Sequence, residues 1–363
     1  MIRGVLVACA LALVAADLHA QGIPGTRAAA AGRAGWEAIR AGRAADAAQA
    51  FAEALDAEPR DPSLHLGAGL SAHLLGRPAA ARHALDQALA LAPGYTTASL
   101  LLGEILYRGS DLQGAIHVYE QALARAPDHP RLAARLEEWR REVALHSRFF
   151  GSHGAHFTVL FEGPADEELA RRALEMLEAA YWRIGTALYT FPDGVITVVL
   201  YTQEQFRDIT RSPDWAAGLY DGRIRVPMRG ALQHPGELER VLAHEFTHAL
   251  VRSIAPSGVP AWLNEGLAVI FEPDGQAWAE AQLARSGARL PYDRLARGFG
   301  ALAGAEARLA YAQGAAAAGR LIELAGTPGV VGLLQDLARG EPLALAFERR
   351  ALVPFDTFMA GLR

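Results

Sequence analysis

Apolar positions along this chain follow three successive patterns. From Val5 to Ala16 they form one uninterrupted run of 12 residues behind Arg3. From residue 28 to 127 they recur with a period of 34. Pro59, Pro93 and Pro127 keep this step, as do Gly35, Gly69 and Gly103, and Phe51, Leu85 and Tyr119. Two alanine series, Ala47, Ala81, Ala115 and Ala54, Ala88, Ala122, repeat with them. Small residues let two helices approach closely, a bulky one fills the remaining gap, and proline stops the second helix. The period predicts three helical hairpins over 28–127 and an amphipathic capping helix from Pro130 to Ser147. The cap sets Leu132, Leu136, Trp139 and Val143 on one face and Arg131, Arg135, Glu138 and Arg141 on the other. Phe149 to Gly154 reads as a boundary. Beyond it, strands are expected at His156–Phe161, Val195–Tyr201 and Arg223–Val226, with helices at Ala165–Leu188 and Gln203–Ile209. The charged alternate positions of Arg223–Val226 suggest a sheet edge. From Glu237 onward the pattern is mostly helical, so the second half reads as α+β.

The 34-residue period and its small, Gly, small, bulky, small and Pro positions resemble the tetratricopeptide repeat. Leu102-Gly103 matches that pattern well, and Ala34-Gly35 in the first repeat is the most degenerate. The resemblance implies an all-α solenoid over 28–148, cap included. Such a solenoid binds a protein or peptide partner in its groove, or only packs against the rest of the chain. His65, His73, His83 and His117 lie on its helices without ligand spacing.

Composition narrows the function classes. Lys+Arg total 35 against 40 Asp+Glu, a net charge of −5, so the basic excess of a nucleic-acid binder is absent. The apolar run at the start is too short to span a bilayer but fits the core of a secretory signal peptide. Small residues at Ala16 and Ala20 suit cleavage, giving a signal peptide over 1–20; a single membrane anchor is the alternative. No later segment reads as a span. The one cysteine, Cys9, lies in the first run, so a disulfide framework and a thiolate zinc site are excluded. A cysteine-free mature chain suits a periplasmic or extracellular compartment.

Candidate chemistry concentrates in the helix expected over Glu237–Ile254, which contains His244-Glu245-Phe246-Thr247-His248. Histidines at i and i+4 face one side of a helix and can share one zinc ion, leaving Glu245 beside it as general base. Glu237 and Glu239 open the helix and complement its dipole. Pro256, Gly258 and Pro260 break the chain before Trp262-Leu263-Asn264-Glu265-Gly266-Leu267-Ala268. A second helix there can return Glu265 to the metal, completing a two-His, one-Glu set with one position open.

Together the two motifs resemble the gluzincin metallopeptidases, and within them the peptidase MA-like group, over roughly residues 150–363. The resemblance implies zinc held by His244, His248 and Glu265, catalysis by Glu245, and a peptide or protein substrate. It places Ala216–Pro227 where gluzincins have the edge strand of the cleft. It also offers Tyr311 as donor to the oxyanion, against the alternative of a packing tyrosine. The thermolysin-like pattern has an Asp four residues after the third ligand; here that position is Val269, and Glu272 is the candidate substitute. The Gly-x-Met-x-Asn segment of the related aminopeptidases is absent. The competing expectation is a non-catalytic tetratricopeptide scaffold carrying an inactive gluzincin fold.

Overall fold

A computed structural model of the chain describes residues 27–163, 166–210, 218–228, 234–302 and 304–362. The expected signal peptide over 1–20, with Cys9, lies outside the described residues. The chain divides into two units between Ala144 and Leu145, and each encloses its own core.

In the first unit, α1 (Arg27–Arg40) pairs with α2 (Ala44–Ala57), α3 (Pro62–Leu74) with α4 (Pro78–Leu91), and α5 (Thr96–Arg108) with α6 (Leu112–Arg125). α7 (Pro130–His146) follows. Asp61 starts α3 by accepting from the Ser63 amide at 2.8 Å, with Pro62 in the first turn, and Asp111 starts α6 by accepting from the Gly114 amide at 2.9 Å. The repeating bulky residues Phe51, Leu85 and Tyr119 are all fully buried. Each occupies the space a side chain on the matching glycine would need. A Cβ on Gly35 would lie 2.8 Å from the Phe51 ring, and one on Gly103 would lie 2.2 Å from Tyr119. Trp139 of α7 lies 4.5 Å from the Tyr119 ring and stacks on Tyr107 at 5.2 Å, so the cap covers the last hairpin with aromatic surface.

The second unit is α+β. Its sheet comprises β1 (Phe150–His153), β2 (Phe157–Phe161), β3 (Ile196–Tyr201), β4 (Leu219–Tyr220) and β5 (Ile224–Pro227), in the order β1-β2-β3-β5-β4. β2, β3 and β5 run parallel, and both outer pairs are antiparallel. Period-2 alternation divides β3 between two faces. Val198 and Leu200 join the main core with Phe157, Val159, Ile224 and Val226, under α8 (Glu167–Ala187) and α10 (Pro235–Ile254). Val199 and Tyr201 enter a smaller cluster with Phe206 of α9 (Gln203–Thr210).

Two expectations are corrected. Phe149–Gly154 is not merely a boundary, because Phe150–His153 forms β1 and pairs with Thr158–Phe161. The Arg223–Val226 segment is not the sheet edge, because β5 lies between β3 and β4. Arg225 is only 1% exposed, yet its charge is answered. Nε donates to Asp221 at 3.0 Å and Nη1 to the Tyr201 hydroxyl at 2.7 Å. A buried arginine persists where such partners satisfy its donors.

The remaining helices are α11 (Ala261–Ile270), α12 (Gly275–Ser286), α13 (Tyr292–Ala296), α14 (Gly304–Ala338), α15 (Leu343–Ala351) and α16 (Phe355–Ala360). Contrary to expectation, one of them, α14, is long and apolar enough to cross a membrane by length and composition alone. It is broken at Gly326 (φ 66°), just ahead of Pro328, and Ala310, Ala317, Leu321, Leu333 and Leu334 are core residues. It is the central core helix of this unit.

Candidate metal centre

The site is built on α10. Leu238, Val241, Leu242, Phe246 and Leu250 anchor this helix in the core. That anchoring leaves His244 and His248 half-buried on an adjoining face, one turn apart. Their rings stand at 88° with centroids 4.7 Å apart, and their Nε2 atoms are 3.1 Å apart.

The chain then reverses. α10 ends in the extended Ala255, Gly258 takes a left-handed φ of 82°, and α11 begins after Pro260. α11 lies so close to α14 that a Cβ on Gly266 would sit 2.1 Å from the Gly314 carbonyl oxygen. This close approach seats Glu265 over the histidines. Its Oε2 is 3.3 Å from His248 Nε2 and 3.6 Å from His244 Nε2. Among the described residues, one group of metal-ligating side chains converges, namely His244, His248 and Glu265, with ligand atoms within 4.8 Å of one another.

The donor set passes a test for zinc. A tetrahedral ion with bonds of 2.0–2.1 Å holds its ligand atoms about 3.3 Å apart. The three separations here, 3.1, 3.3 and 3.6 Å, bracket that edge. Glu265 Oε2 is buried with no hydrogen-bond partner in the protein. Leaving an anionic oxygen so would be costly, and a cation between the three atoms removes that cost.

Glu272 holds His244 in place. Its Oε1 is 2.6 Å from His244 Nδ1, and its Oε2 accepts from Arg240 at 3.3 Å. With Nδ1–H donated to the carboxylate, Nε2 presents its lone pair to the cluster. Burial favours a neutral His244, but the Glu265 and Glu272 carboxylates outweigh it and push this imidazole up to about 10 in the metal-free protein. Burial likewise raises the Glu265 carboxyl, but His248 and His244 more than offset this and hold it below the usual carboxylate range.

Glu245 is buried beside the cluster, and burial pushes its carboxyl above the ordinary value. Gly218, just before β4, makes room for it, since a Cβ there would lie 2.6 Å from Glu245 Oε1. The ring of Tyr311, near the start of α14, is 6.2 Å from the His244 ring and packs edge-on against Phe299 at 5.2 Å. Burial, then the charges of Glu265, Glu245 and Glu272, raise its phenol above the usual range, so it remains protonated. Away from the cluster, Glu237 and Glu239 are exposed at the start of α10. His156 stacks on Tyr181 at 3.7 Å and pairs with Glu178 at 2.6 Å.

The sequence offered Glu272 only as a substitute for the carboxylate missing at Val269, on a helix continued seven residues past Glu265. In the structure α11 has ended at Ile270, and the turn after it delivers the carboxylate. Gly218 carried no signal in the sequence beyond its place ahead of the expected edge strand.

Comparison with known proteins bears on the first unit. The family model described as Tetratricopeptide repeat matches residues 33–95 and 75–130. No curated protein matches the chain. A solved structure, the first TPR of Spaghetti (RPAP3) bound to HSP90 peptide SRMEEVD, aligns at 23% identity and a TM-score of 0.31, covering 32% of this chain and 96% of that one. The helices α1–α6 are tetratricopeptide repeats, and an α+β region follows them.

Proposed function

We propose that the chain is an exported zinc-dependent peptidase of the gluzincin type, whose tetratricopeptide repeats bind a protein partner or substrate. The observation that carries this reading is the near-tetrahedral spacing of His244 Nε2, His248 Nε2 and Glu265 Oε2, with the buried Glu245 beside them. Zinc held by these three residues would supply Lewis acidity toward a carbonyl and lower the pKa of water. The chain's own groups account for the rest. Glu245, its proton affinity raised by burial, takes a proton from the attacking water and passes it to the leaving amine. Glu272 fixes the orientation of His244. Tyr311, kept protonated, is a donor available to the oxyanion that develops at the substrate carbonyl. The apolar run at residues 5–16 supports export.

The test is Glu245→Gln. Turnover of a mixed peptide pool is expected to fall by on the order of 10²–10⁴-fold while zinc content stays at one per chain. Unchanged turnover would sink the mechanism. A second reading has the repeats doing the biological work beside a non-catalytic fold, and it is favoured by the family match, which covers the repeats alone. Wild-type protein that carries zinc yet cleaves no peptide in the pool would decide for that scaffold.

A further inference from the structure

The ligand-bearing helix carries a cation that this mechanism does not use. Arg252 follows His248 by four residues, so His244, His248 and Arg252 form one stripe along α10, the last step rising about 6 Å. β4 runs beside that stripe. Gly218 abuts Glu245, and Tyr220, two residues further on, has the Arg252 guanidinium 5.9 Å from its ring centre. Two residues of strand advance about 6.6 Å, whereas the seven from Glu245 to Arg252 rise about 10.5 Å along α10, and the Arg252 side chain and the Tyr220 ring reach across the remaining interval. A peptide lying along β4 with its scissile bond at Glu245 would bring a side chain or chain end from one or two residues away to Arg252.

Arg252 is half-buried, and among the described residues its contact is the Tyr220 ring, with no carboxylate paired to it. Neighbouring arginines are answered within the protein, Arg225 by Asp221 and Arg240 by Glu272. Resting on the peptidase reading above, we propose that Arg252 determines specificity by receiving a substrate carboxylate, either an Asp or Glu side chain or a free carboxy terminus, one or two residues from the scissile bond. The structural alternative is an arginine that only complements the C-terminal dipole of α10. That role would alter stability without altering selectivity.

The test compares matched synthetic peptides that carry Glu or Gln near the cleavage position, each with a free or an amidated carboxy terminus. Wild-type protein is expected to favour one carboxylate source by about tenfold or more in kcat/KM, and the arm that shows the preference identifies the source. Arg252→Gln brings that ratio close to one, and Arg252→Lys retains part of it. Equal ratios in wild type and Arg252→Gln overturn the proposal even if peptides are cleaved. If no peptide is cleaved, the peptidase reading fails by itself, and binding then decides the role of Arg252. Calorimetry on zinc-loaded protein with peptide hydroxamates, bearing Glu or Gln and a free or an amidated carboxy terminus, supports the proposal if a tenfold preference for either carboxylate disappears in Arg252→Gln. Equal binding with and without each carboxylate overturns it.

Discussion

Glu272 shows how a single side chain sets the chemistry of its neighbours. Its 2.6 Å contact with His244 Nδ1 chooses the tautomer that turns Nε2 toward Glu265 and His248, and Arg240 holds the carboxylate from behind. Partners of this kind typically govern metal affinity by 10–100-fold. Glu272→Gln is therefore expected to weaken zinc binding by about that factor in competition with a chromophoric chelator, measured on protein whose circular dichroism shows it folded. An unchanged zinc affinity would remove Glu272 from this role. That His244 and His248 share one helix face was legible in the sequence, because i,i+4 spacing on a helix is a local geometric fact. Glu272 was only half legible, because helical counting stops at Ile270 and the turn that redirects the chain has no period. The fit between Gly218 and Glu245 joins residues far apart in sequence and leaves no local trace.

Elements divide in the same way. The repeat hairpins were readable because each helix pairs with its neighbour in sequence, and the 34-residue step copies one packing solution. Strands β2, β3 and β5 were readable, but the order of the sheet was not, since it depends on pairings across long separations. Phe150–His153 contains Gly and Ser and looks like a turn until Thr158–Phe161 pairs with it. Arg225 looks like a solvent-facing position until Asp221 and Tyr201 are seen to satisfy it. A comparable charge cluster ties α14 to α15. Asp336 is fully buried, bonded by Arg350 at 2.7 and 2.9 Å and also paired with Arg349 and Arg339. The Arg350 hydrogen bonds foremost, with burial opposing them and Arg349 assisting, hold its carboxyl at about 2 against an ordinary 3.8. A depressed carboxyl stabilises the fold above its unfolded value, and that stability is lost as pH falls toward the folded value. On the order of 2 kcal/mol should therefore be present above pH 4 and disappear between about 4 and 2. Denaturant midpoints of metal-free wild type and Asp336→Asn should converge across that window. A gap independent of pH would contradict the assignment.

At the scale of the whole molecule, the two largest cores among the described residues share no residue, one lying among the repeats and one around the sheet and α14. Chains with separate cores need not unfold in a single step. The two cores can be perturbed by independent means. Phe51 is fully buried between α1 and α3, with Trp36 5.0 Å away and the Gly35 and Gly67 backbones closed over its ring. Truncation to alanine leaves a cavity that rigid helices cannot close, at a cost of about 3–5 kcal/mol to the repeat core. All three proposed zinc ligands belong to the other unit, so zinc would raise the stability of that unit alone, by mass action. Hydrogen exchange read by mass spectrometry, followed through denaturant, should show Phe51→Ala shifting protection in residues 27–144 and leaving 145–362 in place. Added zinc should do the reverse. If each perturbation moved both regions together, the cores would be one cooperative unit despite their separate packing, and the repeats would have to be counted among the supports of the metal centre.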